Sequence, residues 1–303
     1  MIVVKPYTVD QTTLTSSSIP EPDAGETVWS AGTYNTGTRR INTTTHRVYE
    51  VVAVPSTSDD PLVGVDADPP TWVDVSATNR YAMFDNLNGS QSTDGANLDV
   101  SVTIPAIINS VSGFNVSGVD TVTINVTDAV EGLVYTNTID LNDNEAVVDF
   151  YQYFFEPIAK KDEFIDNNLP AYFEADIDVM FDGTACAVGS LVLGKQIPLG
   201  VTTYGTSFQL LDFSRKERDA FGNYIITEGR TSKLVDFDLY ADTNKLGYIF
   251  RELAKLTTTP AVWSGKEDDQ DDPTLVFGYY RDSQINIDFP EVSDISIQIE
   301  GLT

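Results

Sequence analysis

The chain of 303 residues holds one cysteine and one histidine, and only 18 lysines and arginines against 46 acidic residues, for a formal net charge of −28. Each shortage removes a class of answer. A lone Cys186 forbids an intrachain disulfide, and its run A-C-A-V-G-S-L-V-L reads as a buried strand with a small apolar residue in it. A lone His46 leaves no zinc site with two histidines and no Ser-His-Asp or Cys-His set within one chain, and it reads as a strand residue. The scarcity of cations makes the surface repel phosphate backbones and anionic bilayers, so neither nucleic acid nor membrane insertion is expected. The charge itself reads as solvated surface or adaptation to a salty medium, with calcium or a basic protein partner as alternatives. No run of about 18 apolar residues occurs, and M-I-V-V-K-P-Y lacks the basic-then-apolar pattern of a secretory leader. A soluble chain made in a cytoplasm is expected, and on that expectation the sequons at Asn42, Asn88, Asn115 and Asn125 carry no sugar.

What is present is mostly period two. The expectation is an all-β fold in three parts: residues 1–78, an arm and a small β-module; 79–202, an antiparallel β-sandwich, jelly-roll-like; and 203–303, a β-rich domain with one packed helix. Residues 1 to about 25 read as an extended arm low in structure of its own. The module has candidate strands at 27–29, 41–44 and 47–54, and the stretch 72–85, W-V-D-V-S-A-T-N-R-Y-A-M-F-D, is the joint to the larger body. Alternating segments at 98–104, 113–117, 121–127, 133–140, 151–155, 172–181 and 185–193 are separated by Gly, Pro, Asn and Asp clusters, which predicts face-to-face antiparallel sheets. Further on, 208–218 and 224–235 flank A-F-G-N as a long hairpin. Asp242 caps a helix over 243–256 that places Leu246, Ile249, Phe250, Leu253 and Leu256 on one face. Strands at 261–264, 274–287 and 292–300 complete the chain.

Few side chains mark chemistry. G-S-L-V-L-G-K at 189–195 has the spacing of a phosphate-binding loop, but Gln196 stands where Ser or Thr belongs, and Pro198 stands where a helix must begin. Acidic clusters at Asp140, Asn142, Asp143, Asn144 and Glu145, and at Glu267, Asp268, Asp269, Asp271 and Asp272, lack calcium-loop spacing and read as solvated loops. No catalytic residue, metal ligand or cofactor is assigned. More informative is the series Trp29, Tyr34, Tyr49 and Trp72 with Arg39 and Arg40 nearby. Flat rings stack on pyranose faces and an adjacent arginine binds hydroxyls, so these four are the candidate sugar-binding residues; the alternative is that Trp72 and Tyr49 form the core of a module too small to have another. Arg215, Lys216 and Arg218 stand out in an acidic chain and mark the hairpin either as a candidate assembly surface, docking on an acidic neighbouring copy, or as a solvated face.

Two stretches resemble known families. W-S-A-G-T-Y, R-V-Y-E-V-V and D-P-P-T-W-V-D-V within 28–75 resemble the small chitin-binding type of carbohydrate-binding module, with Tyr49 and Trp72 at matching places. T-N-R-Y-A-M-F-D-N, Y-F-F-E-P-I, L-V-L-G, L-L-D-F-S-R-K-E-R-D-A-F-G-N and S-I-Q-I-E-G-L together resemble a family of tailed-bacteriophage virion proteins. That resemblance implies a structural component of the tail, at the tip, baseplate or fibre attachment. It would be present in several copies beside other tail proteins, without enzymatic activity, and host surface glycan would be a further partner through the module.

Overall fold

The computed structural model describes residues 1–143, 149–155, 159–218, 221–266, 272–287 and 290–302; the fold is all-β, and its strand pairs are antiparallel among the described residues. The longer strands are β1 (Ile2–Pro6), β2 (Leu14–Ser17), β3 (Arg39–Asn42), β4 (Arg47–Val51), β5 (Trp72–Ala77), β6 (Leu98–Thr103), β7 (Ser110–Asp128), β8 (Gly132–Asp140) and β9 (Glu163–Asp166). They continue as β10 (Asp176–Pro198), β11 (Ser207–Asp212), β12 (Arg215–Arg218), β13 (Tyr224–Thr227), β14 (Thr231–Asp242), β15 (Ala261–Ser264), β16 (Val276–Asn286) and β17 (Val292–Gly301). The main sheet has the order β8-β7-β10-β1-β15-β16-β17-β14, with β9 beside β7, β6 beside β10, β2 beside β6 and β11 beside β14. Strands β3-β4-β5 form the small module, and β12-β13 form a two-stranded arm.

Alternation explains most of this. In β7, Val122, Ile124 and Val126 are buried at every second position, the half-buried pattern of a sheet over one core. The breaks expected near 118 and 183 are bulges inside two long strands. Strand β7 runs 19 residues and β10 runs 23, and their pairing slips on either side of Val119. Gly118 sits at φ +73°, and a Cβ there would lie 2.3 Å from the Ala185 carbonyl, so the bend requires glycine.

The first residues correct the expectation of a loosely structured arm. Strand β1 lies inside the sheet between β10 and β15, where Ile2 faces Pro198 and Ser264 and Val4 faces Gln196 and Val262. Ile2, Val3 and Val4 are fully buried. A four-residue apolar run is too short to show a period, and burial on both faces is what makes it a strand. Met1 and Val3 enter a core with Phe237, Trp263 and Ile297 in the C-terminal part, whereas Val4 joins Phe114 and Phe277 in a smaller cluster. A third and larger core, with Val122, Phe181 and Cys186, fills the central part. Hydrogen-bonded sheet therefore continues across the division expected near residue 203.

The helix Leu246–Lys255 follows a turn at Thr243–Lys245, whose Asn244 amide is capped by the Asp242 carboxylate at 2.9 Å. Ile249, Leu253 and Leu256 are buried and Leu246 packs beside them. Phe250, expected on that face, is 63% exposed because it falls roughly 80° off the centre of the stripe at 3.6 residues per turn. The strand expected at 151–155 is a short helix, Phe150–Phe155, whose Tyr151 and Phe155 rings meet at 5.1 Å one turn apart.

One ion pair ties the parts together. Lys233 Nζ of β14 donates to Glu163 of β9 at 2.7 Å and to the Leu275 carbonyl at 2.8 Å. Burial raises the Glu163 carboxyl above its ordinary value of 4.5, against the opposing pull of Lys233. The native chain thus holds that proton more tightly than the unfolded chain. The group's contribution to stability is greatest below the ordinary value and declines as pH rises through the raised native one. In urea titrations across a pH series, wild-type stability minus that of Glu163→Gln is expected to fall with rising pH from about 4 upward and then level off; a flat difference would contradict the raised value.

Candidate functional site

The four aromatic residues do come together, but as a core. Trp72 is fully buried and Tyr49 is 5% exposed; with Val51 they form the centre of the module, against which Trp29 and Tyr34 pack half-buried. The Trp72 indole N–H donates to the Asp59 carbonyl at 3.0 Å, and the Tyr34 ring meets Trp72 edge-on at 5.8 Å. Tyr34 donates its hydroxyl to the Ser30 carbonyl at 2.6 Å, and Arg40 lies 4.7 Å over its ring. Arg39 pairs with Glu50 at 2.7 Å. A four-ring sugar platform is therefore corrected to two rings, Trp29 and Tyr34, at the rim of a module whose other two are its interior. With three short strands, the module has few other large side chains to bury, Ile41 of β3 among them.

The joint is held by carboxylates that motif reading passed over. Glu21 accepts from Thr78 Oγ1 at 2.8 Å and contacts His46 Nδ1 at 2.7 Å. Asn79 donates from Nδ2 to Asp23 at 2.6 Å and from its backbone to Glu26 at 2.8 Å. His46 is a turn residue at φ +55° between β3 and β4, not a strand residue, and its ring stacks on Tyr81 at 3.9 Å. The only histidine thus serves a structural latch.

The hairpin forms as expected but in two stages. Strand β11 pairs with β14 in the main sheet, and beyond Phe213 and Arg230 the chain continues as the arm β12-β13. All eight residues of β12 and β13 are exposed, Tyr224, Ile225 and Ile226 by 64%, 53% and 64%. The three marked cations are paired within the hairpin: Arg215 with Glu217 at 2.5 Å, Lys216 with Asp212 of β11 at 2.6 Å, and Arg218 with the Tyr224 hydroxyl, its guanidinium 4.5 Å over that ring. Hydrogen bonds from Lys216 and Ser214 hold the Asp212 carboxyl well below the usual range. Exposed pairs of this kind are weak and exchange readily.

Of the acidic loops, Asn144, Glu145 and residues 267–271 lie outside the described residues. Asp272 corrects the expectation of a solvated loop. It is 4% exposed, and its carboxylate accepts from Ser264 Oγ at 2.7 Å, the Gly265 amide at 2.9 Å, and the Thr274 amide and hydroxyl at 2.9 and 2.6 Å. Asp140 closes a local turn by accepting from Asn142 at 2.9 Å. Among the described residues no cluster of His, Cys, Asp and Glu is arranged to hold a metal, and no helix is long and apolar enough to cross a membrane. Residues 189–195 lie within β10, as a strand. Burial pushes the Cys186 thiol up, in keeping with its place in the central core.

No protein-family model matches the chain, and neither does any curated protein or solved structure. Asp272→Ala would strand buried amide and hydroxyl donors and is expected to cost about 3 kcal/mol in chemical denaturation; a loss under about 1 kcal/mol would mean that water replaces the carboxylate.

Proposed function

We propose that this chain is a structural component of a bacteriophage tail, at the tip, baseplate or fibre attachment, that assembles through its β-rich body with copies of itself and with other tail proteins in the virion. The tail assignment rests on the sequence motifs; the observation that supports assembly is the β12-β13 arm, exposed on both faces and partly apolar. A two-stranded ribbon is marginal alone in water, so an arm of this composition gains stability when another surface covers it. Its role is structural rather than catalytic, consistent with a single histidine held in the latch with Glu21. Analytical ultracentrifugation of the intact chain is expected to give species larger than the monomer, reduced on removal of residues 213–230, and the chain is expected in purified virions. A chain that stays monomeric and is missing from virions would sink this reading.

The second reading is recognition of a host surface glycan, carried by Trp29 and Tyr34 with Arg40 at the module rim. It requires binding on a glycan array that Trp29→Ala abolishes, and a blank array removes it.

A further inference from the structure

The arm has two unlike faces. Residues opposite one another across β12 and β13 share a face, so Lys216 and Arg218 lie with Ile226 and Tyr224, whereas Arg215 and Glu217 lie with Thr227 and Ile225. The first face joins two cations to an aromatic and an aliphatic side chain; the second is mixed in charge.

A surface of opposite character lies on the outer side of β16-β17-β14. There Val235, Phe237 and Leu239 point into the core, so Asp236 and Asp238 point outward. Across the sheet Asp236 stands beside Gln298, which stands beside Asp282; Asp238 stands beside Ser296, which stands beside Gln284. Asp236, Asp282, Gln284, Ser296 and Gln298 line a depression of about 180 Å³. Among the described residues Asp236, Asp238, Asp282 and Asp294 carry no ion pair with a lysine or arginine. Four carboxylates on one face repel one another, and a cationic face set against them relieves that repulsion.

Deepening the assembly reading, on which it rests, we propose that the Lys216 and Arg218 face of the arm docks on this acidic face of a second copy of the chain. Within one copy the two surfaces do not meet, since Lys216 pairs with Asp212 and Arg218 with Tyr224. The partner is a second copy because of charge. The chain carries −28, while residues 207–231 balance Arg215, Lys216, Arg218 and Arg230 against Asp212, Glu217, Asp219 and Glu228. The arm is thus one part of this acidic molecule that can approach another copy without net repulsion. On docking, Lys216 exchanges Asp212 for Asp238 or Asp282, Arg218 forks onto a second carboxylate, and Tyr224 and Ile226 cover the space between.

The test uses the full chain with two charge-reversed variants at exposed positions, Lys216→Glu with Arg218→Glu, and Asp238→Lys with Asp282→Lys. Unchanged circular dichroism and melting temperature verify folding. Sedimentation equilibrium is expected to show salt-sensitive association of the wild type, at least tenfold or so weaker in each variant alone. Mixing the two variants is expected to restore association, because one retains the acidic face and the other the cationic arm. If either variant associates like the wild type, or if the mixture does not recover, this docking is wrong while the assembly reading stands. If the wild type is monomeric at every concentration and salt, this docking and the self-association it rests on both fall.

Discussion

The backbone pairing of β1 on both of its edges is the constraint from which the rest of the body follows. Five residues near the N-terminus fill a slot between β10 and β15, so strands from the start, the middle and the last third of the chain share one ladder. Leaving that slot empty would strand two rows of buried amides and carbonyls, which no apolar burial offsets. The close approach also explains a local choice on β10: a Cβ at Gly194 would lie 2.4 Å from the Lys5 carbonyl, so glycine is what lets β1 in. Cores on either side of β1 are thereby held in fixed relation, and the Lys233 and Glu163 pair adds a tie between β14 and β9.

Period two made most of the strands legible, because a sheet with one buried face writes its geometry into alternate residues. The long hairpin and the helix after Asp242 were equally readable, since A-F-G-N and the intervals of three and four are local signals. What stayed hidden depended on distant partners. Gly118 and Gly183 look like strand ends in sequence, yet they are points where two strands bend together, and only the pairing reveals a bulge. Strand β1 carries no alternation because both its faces are covered. Phe250 sits at a helical interval but on the flank of a stripe already filled by Ile249 and Leu253.

The candidate site was legible in part for the same reason. The rings of Trp29, Tyr34, Tyr49 and Trp72 were correctly seen as a group, but composition does not say whether a cluster of rings faces a ligand or itself. Module size decided it, as a three-stranded sheet buries whatever large side chains it has. Asp272 reads as one more acid in an acidic run, and its saturation by donors from 264, 265 and 274 is a tertiary fact. The arm's cations were visible, whereas their division between two faces needed the register of β12 on β13. Charge in this molecule is therefore sorted into structural latches, an unpaired acidic sheet face and a neutral arm.

The small module leaves the body after β2 and returns at Thr78 and Asn79, from where the chain passes the buried Met83 before entering β6, the hydrogen-bonded neighbour of β2. Its entrance and exit are therefore pinned close together, by the Glu21, Asp23 and Glu26 contacts to Thr78 and Asn79. A unit attached in this way is a cassette: its length and contents can change without shifting the register of a single strand in the main sheet. Tolerance of change and fixed strand register thus fall to different stretches of one chain.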